Sequence, residues 1–271
     1  MEKLRINLAC GDCYVDGWLN LDYVSRSPSV KSTNLLGHLP ADNNSASVVY
    51  SSHFLEHIPT DLVPSFLSEC YRVLRNNGIL RLALPDWEEL CETYLILRKS
   101  GAHDKADFLL LEMLDQCVRM KPGGRLGDYY IALQRAPEQS REMIKFVFER
   151  TGHIIQPSSQ IKKSRFKQIA SNPRKLIDVF REIYIKSVIL LLPSAFKKQN
   201  VSRTTVGEKH MWMYDFYSVK QLLESCGFIN VKKMNSSTSG IEDFPFYPLD
   251  LTKDGMPRKG KETMYIEAEK P

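Results

Sequence analysis

Asn7, Ala9, Cys10, Gly11 and Cys13 sit in one short run, Asp22 closes a second, and Ser51 and His53 close a third. Each follows a brief apolar stretch (Leu4 to Leu8, Leu19 to Leu21, Val48 to Tyr50) of the kind that forms a buried strand. In an open parallel sheet the carboxyl ends of the strands face a common crevice, where backbone N–H groups and strand-end side chains meet a ligand. A turn of small residues lets backbone approach that ligand closely, and a carboxylate at Asp22 can accept from both hydroxyls of a vicinal diol. The three ends together outline a nucleotide-shaped site. His53 adds a side chain whose unperturbed pKa of about 6.5 suits a general base. Asp86, just past Leu84-Pro85, and the pair His210 and Tyr214 are further candidates for work on an acceptor.

The elements that must position these groups follow from periodicity. Asp61 to Arg75 carries apolar residues at Leu62, Val63, Phe66, Leu67, Val73 and Leu74, the pattern of a one-sided helix, and Asn76-Asn77-Gly78 is predicted to cap it. Ile79 to Leu84 reads as the next strand, so the stretch is β-α-β with a right-handed crossover. Ser218 to Ser225 is predicted helical with Gly227 behind it, then Phe228 to Met234 and Thr263 to Ala268 as strands. Between the two halves, about residues 100 to 210 exceed a crossover connection and are expected to form a helical insertion or lid, with helices over Phe108 to Val118 and Arg141 to Glu149. The division expected is 1–98 and 210–271 as two parts of one domain and 99–209 as the insertion.

The runs Leu8 to Gly11, Gly17 to Asp22, Ser51 to His57 and Leu84 to Asp86 resemble class I S-adenosylmethionine-dependent methyltransferases, in particular a branch with a Leu-Asn-Leu-Gly-Cys-Gly opening. The resemblance covers roughly the first ninety residues, with a weaker match from His210 to Val231. It implies an α/β, Rossmann-like, seven-stranded mostly parallel sheet with helices on both faces, and S-adenosylmethionine as cofactor. It assigns the backbone of Ala9, Cys10, Gly11 and Cys13 to the methionine moiety, Asp22 to the ribose, Asn34 and Leu35 to the adenine edge, and Ser51 with His53 to the loop beneath the methionine. Asn7 stands where the family has an acid and could meet the cofactor's amine through its amide oxygen. Ala9 and Cys13 stand where the family has glycine, and Cys13 removes glycine's freedom at positive φ, which would weaken cofactor affinity. His53, Asp86, His210 and Tyr214 are the candidate catalytic residues. His53, Glu56 and His57 would share a helical face as metal-ligand types, but a strand-to-helix junction does not assure that geometry, and no metal is expected.

Composition bounds the rest. The chain has 271 residues, 43% hydrophobic and 25% charged, enough to bury a full core. It shows no signal-peptide apolar region and no apolar run long enough to span a membrane, so a cytoplasmic location is expected. The six cysteines read as free thiols; Cys10-x-x-Cys13 lacks the second pair that zinc would need. Residues 161–198 hold ten Lys/Arg against Asp178 and Glu182, more positive than the whole chain's +5. Lys175 to Leu192 groups Leu176, Ile177, Phe180, Ile183, Tyr184, Val188 and Leu191 largely on one helical face. That segment is either a lid packed on the core, a homodimer contact, or a basic surface for an anionic membrane or lipid-linked substrate. Nucleic acid is disfavoured, since basic and aromatic residues do not interleave there. The expected activity is methyl transfer to a hydroxyl or amine of a small molecule or saccharide, with surface-polysaccharide pathways as the analogy. The alternatives are a non-catalytic Rossmann-like binding module and a nucleic-acid methyltransferase.

Overall fold

Short apolar runs become the strands of one sheet in the computed structural model of the chain, which describes residues 4–25, 27–155, 184–185, 187–204 and 207–271. The strands are β1 (Leu4–Leu8), β2 (Leu19–Asp22), β3 (Val30–Ser32), β4 (Ala46–Ser52), β5 (Leu74–Pro85), β6 (Ile229–Met234) and β7 (Thr263–Glu269). Their order is β3-β2-β1-β4-β5-β7-β6, with β7 antiparallel to both neighbours and β1 to β5 parallel. This is the Rossmann-like seven-stranded, mostly parallel α/β sheet. The chain runs outward from β1 to β3 and then returns to the other side of β1 at β4, so the strand order reverses there. Such a switch point opens a crevice at the strands' carboxyl ends, which places the ends of β1, β2 and β4 around it.

Helix α1 (Val63–Val73) buries Val63, Phe66, Leu67, Cys70 and Val73, one stripe at helical spacing. It packs with Val219 and Leu223 of α7 (Phe216–Ser225) against Ile6, Leu8, Leu21, Val49, Leu80 and Leu82 on one face of the sheet. Burying each such side chain contributes about 1.5–3 kcal/mol. The helix is shorter than its sequence pattern at both ends. Leu74 is already extended and pairs with Ala46, so β5 begins where a final helical turn was expected. Asn77 does take left-handed φ, +60°, but inside the irregular start of β5. The carbonyls at the helix end are instead taken by the buried ammonium of Lys270, which donates to Tyr71 O and Leu74 O at 2.7 Å each.

On the opposite face, Val48, Tyr50 and Ile79 are covered by Ile241, Phe244, Phe246 and Leu249 of the irregular segment 235–262, with Val15 and Trp18 beside them. This cover is a long connection where helices were expected. The links after β1, β2 and β3 are short, and no helix occurs in them among the described residues. Arg81, fully buried on β5, fastens the cover. It donates to Asp250 Oδ2 at 2.7 Å, Glu267 Oε1 at 2.7 Å and Asn235 O at 2.8 Å, while Tyr50 donates to Asp250 Oδ1 at 2.7 Å.

Between β5 and α7 lie α2 (Trp87–Lys99), α3 (His103–Leu110), α4 (Gly124–Arg135), α5 (Arg141–Thr151) and α6 (Ser194–Asn200). α3 continues through a wider π turn, Leu111–Asp115, to Val118. Phe108, Leu126, Leu133 and Val147 form a small core of their own, and Leu90, Leu109 and Met113 another. Most of the basic stretch 161–198, including positions 175–183 and 186 of the expected amphipathic helix, lies outside the described residues; 187–191 are helical. Among the described residues no helix is long and apolar enough to cross a membrane.

Candidate active site

The turn after β1 is shaped by two left-handed residues, Ala9 at φ +53° and Gly11 at φ +54°. Cys13 is not one of them, so glycine's freedom is not required at Cys13, contrary to the sequence expectation. The backbone strain falls on Ala9, where left-handed geometry costs about 1–2 kcal/mol. Cys13 closes the turn by donating its N–H to Cys10 O at 2.9 Å, and its sulfur accepts from Arg258 at 3.2 Å. Asp22 accepts the Gly11 N–H on Oδ2 at 2.9 Å and the Val24 N–H on Oδ1 at 3.1 Å. Its carboxylate is thereby fixed at the strand end beside the turn. A Cβ at Gly11 would meet nothing within 4 Å, so the backbone there is open to a ligand.

Asn7 is buried and faces inward. Its amide donates to Cys13 O at 3.0 Å and to Asn20 Oδ1 at 3.1 Å, which makes it an anchor of the turn. Asn20, which sequence reasoning passed over, does the same from β2, donating to Val15 O at 2.9 Å and accepting from Val15 N at 3.2 Å. Its signal was an amide in an otherwise apolar strand. The Cys10 thiol is pushed up to about 11, chiefly by burial and then by Asp22, so it stays protonated at neutral pH. Asn34 uses its side-chain oxygen to accept Leu36 N at 3.1 Å, and Leu35 points into the main core. Ser51, on β4 beside Leu8 of β1, is buried with its hydroxyl unpartnered.

His53 follows β4 in left-handed geometry, φ +51°, and its N–H donates to Ala83 O at 2.7 Å. Both ring nitrogens face a partner: Nδ1 lies 3.3 Å from Glu56 Oε1, and Nε2 lies 3.0 Å from Thr263 Oγ1. Burial lowers the pKa of His53 against the opposing pull of Glu56. Glu56 sits in a 3₁₀ turn, Leu55–His57, whose backbone accepts Met211 N at 2.6 Å and so holds the 209–212 strap. Burial would raise its carboxyl, but His53, His57 and His210 outweigh this and bring it down to about 2. His210 is lowered to about 4, mainly by burial, and its Nδ1 has no hydrogen-bond partner. At neutral pH the cluster therefore holds an ionised Glu56 carboxylate beside the neutral imidazoles of His53 and His210. The ligand-type atoms of Glu56, His57 and His210 lie within 4.8 Å of one another, whereas a tetrahedral shell at ~2.1 Å has edges of roughly 3.4 Å. We assign no ion to them.

His53 and His210 open onto a cavity of about 310 Å³ that also takes in Glu112, Arg119, Tyr130 and Glu262. The last four lie in segments that carried no motif, so no sequence signal singled them out. Burial, opposed by Arg150 and reinforced by Glu262 and Glu89, pushes Glu112 up to about 8. Burial likewise pushes Glu262 up to about 7 against its hydrogen bonds and the nearby cations. Asp86 and Tyr214 are not in this cavity. Asp86 caps α2 by accepting from Glu88 N at 3.2 Å and Glu89 N at 3.4 Å, and it pairs with Lys233 at 2.6 Å. Tyr214 belongs to the main core and is bridged to Asp86 through its backbone. The sequence placed both near strand ends correctly, but their side chains do structural work there.

Residues 22–82, which begin at Asp22 and run through β4 to β5, match the family model of a methyltransferase domain. That match spans 61 of the chain's 271 residues. No curated protein matches the chain. Several solved methyltransferases are similar in fold. One is an S-adenosylmethionine-dependent enzyme of Thermotoga maritima, described as a possible histamine N-methyltransferase, at 11% identity over 100% of this chain and 83% of that one, TM-score 0.40. Another, from Archaeoglobus fulgidus, is 10% identical over 99% and 86%, TM-score 0.40. A third, from Mesorhizobium loti, is 17% identical over 31% of this chain and 46% of that one, TM-score 0.26. Those solved enzymes are described as S-adenosylmethionine-dependent, and the residues present here fit such a cofactor. The fixed Asp22 carboxylate, the open backbone at Gly11 and the unpartnered buried hydroxyl of Ser51 converge at the switch point of the sheet.

Proposed function

We propose that the chain transfers the methyl group of S-adenosylmethionine to a hydroxyl or amine of a small molecule or saccharide held in the cavity behind His53. The observation that carries this reading is the adjacency of two compartments. Gly11, Asp22 and Ser51 stand at the ends of β1, β2 and β4, and the 310 Å³ cavity begins at His53, two residues past Ser51. Bound there, the cofactor supplies a methyl carbon made electrophilic by its sulfonium. Asp22 would hold the ribose, the backbone of residues 9–11 the methionine end, and the Asn34 turn the adenine edge. The chain's main task is then alignment of an acceptor atom with that carbon and removal of a proton.

The cavity's polar inventory supports a polar acceptor. Glu262 Oε2, His210 Nδ1 and Arg119 Nε are buried without partners, and Glu112 has no hydrogen bond beyond a 3.5 Å contact with Arg150. A buried polar group left unpaired costs about 1–3 kcal/mol, and several close together favour a ligand rich in hydroxyl or amino groups. Calorimetric titration with S-adenosylmethionine and S-adenosylhomocysteine tests the cofactor half. Micromolar binding that Asp22→Ala abolishes is expected; no heat at millimolar ligand overturns the reading. Sugar nucleotides and small amines are then the acceptor classes to screen.

An anionic membrane surface or lipid-linked acceptor is favoured by one further observation. Leu190 and Leu191 are 76% and 86% exposed, with Tyr184 and Ile185 also exposed, in the stretch of sequence that carries the basic excess. Sedimentation with anionic vesicles, but not with neutral ones, is the expected result, and Leu190→Asp with Leu191→Asp should remove it.

A further inference from the structure

His53 was the base expected from sequence, yet neither of its ring nitrogens is free to meet an acceptor. Nε2 meets the Thr263 hydroxyl at 3.0 Å, and that hydroxyl donates onward to Glu262 Oε1 at 3.1 Å. On the other side, Nδ1 meets Glu56. The four groups form one line, Glu56, His53, Thr263, Glu262, running from the core to the cavity. Both end carboxylates have a buried oxygen without a hydrogen-bond partner, Oε2 in Glu262, and of the two only Glu262 lines the cavity. Its backbone is pinned on both sides: its N–H donates to Arg150 O at 3.2 Å, and its carbonyl accepts Asp86 N at 2.7 Å.

Resting on the methyl-transfer reading above, we propose that Glu262 is the group that takes the acceptor's proton, and that Thr263 lets it share that proton with His53. The acceptor atom gives its electron pair to the methyl carbon, the carbon–sulfur bond breaks with its pair left on sulfur, and the acceptor's proton goes to the Glu262 carboxylate. The carboxyl torsion of glutamate is broad and roughly two-fold, so turning it presents the proton to Thr263. Two arrangements of the line then exchange. In one, Glu262 is a neutral acid donating to Thr263, Thr263 donates to His53 Nε2, and His53 donates from Nδ1 to ionised Glu56. In the other, the Thr263 hydroxyl has turned, Glu262 is ionised, and His53 is an imidazolium against Glu56. One proton serves both, and atoms and charge balance within the line.

The surroundings act on Glu262 and His53 in opposite senses. Burial raises Glu262 to about 7 while burial lowers His53, so the ordinary gap between a carboxyl and an imidazole closes. The groups facing the pair from other elements are Glu112 and Tyr130 from the insertion, Arg150 of α5, Arg258 and Lys259 of the covering segment, and His57 and His210 by Glu56. Arg150 and Lys259 favour the ionised carboxylate. Arg258 and Lys259 oppose a charge on His53, and Glu56 supports it.

Groups that share a proton titrate in common steps, whereas isolated groups each follow their own curve. The test is a pH titration of the full chain, without cofactor or acceptor, following the ¹⁵N shifts of His53 and the ¹³C carboxyl shift of Glu262. Assignments come from His53→Gln and Glu262→Gln, and thermal melts check that the variants are folded. In the unmodified protein both probes should report the same two midpoints. In Thr263→Val, which keeps the β-branched shape but lacks the hydroxyl, each should report one midpoint, moved by about one pH unit or more, and Thr263→Ser should restore the shared pair. Unrelated single midpoints in the unmodified protein overturn the proposal. So does a serine variant that behaves like the valine one, because the effect would then come from packing. Shared steps in a protein that shows no heat with S-adenosylmethionine would sink the methyl-transfer reading and leave the coupled pair standing.

Discussion

Glu112 and Glu262 have unusual consequences for stability. A carboxyl raised to about 8 or 7 in the folded chain from an ordinary 4.5 binds more proton folded than unfolded between those values. Stability therefore falls as pH rises through that window. His210, lowered to about 4 from 6.5, acts in the other direction, losing stability as pH falls below 6.5. Between pH 6.5 and 8 the carboxyls alone act among these three groups. Urea unfolding across that range should show a declining free energy in the unmodified protein and a shallower decline in Glu112→Gln. At this scale the sequence told least about the acceptor side. Gly11 and Asp22 were legible because the turn and the strand-end acid have a fixed relation to the sheet. Glu262 and Glu112 were not, because what makes them chemical is burial by helices and loops far away in sequence. Asp86 shows the opposite case: an acid after a strand is as much a helix cap as a base, and its partner Lys233 is 147 residues distant.

At the scale of elements, periodicity located α1, α5, α7 and every strand that pairs in the sheet's centre. It failed where a tertiary contact replaces a local signal. Asn76-Asn77-Gly78 has the composition of a helix cap, yet α1 ends before it, since Leu74 pairs with Ala46 and Lys270 reaches from the far end of the chain to take the helix carbonyls. Lys270 also donates to Asn44 Oδ1 at 2.6 Å, so its ammonium has three acceptors in a buried site. Lys270→Met keeps the length of the side chain and leaves those acceptors unpaired. A loss of about 2–3 kcal/mol is expected from urea denaturation. α7 ends at Ser225 as expected but begins two residues before the expected Ser218, at Phe216, because Asp215 caps it and forms a reciprocal capping box with Ser218.

For the molecule as a whole, the seven-stranded, mostly parallel sheet was implied by the family resemblance, but the cover on its second face was not. Residues 235–262 have no period, and nothing in their composition says that they lie on Val48, Tyr50 and Ile79. What fixes them there is Arg81, an arginine in the otherwise apolar run Ile79 to Leu84, together with Asp250. Asp250→Ala would leave a fully buried guanidinium and the Tyr50 hydroxyl short of a partner. Breaking a buried pair from one side costs about 3–5 kcal/mol, so the variant should unfold at markedly lower urea and admit protease within 235–262 while the unmodified chain resists.

The same covering segment has a bearing on ligand binding. Near its end, Arg258 rests on the sulfur of Cys13 in the turn after β1, and Lys259 and Glu262, one and four residues further on, form part of the cavity wall. A stretch of five residues thus touches both the turn after β1 and the cavity. Under the proposed methyl transfer, this shared wall predicts that filling either compartment alters the affinity of the other, and by thermodynamic reciprocity by an equal factor in each direction.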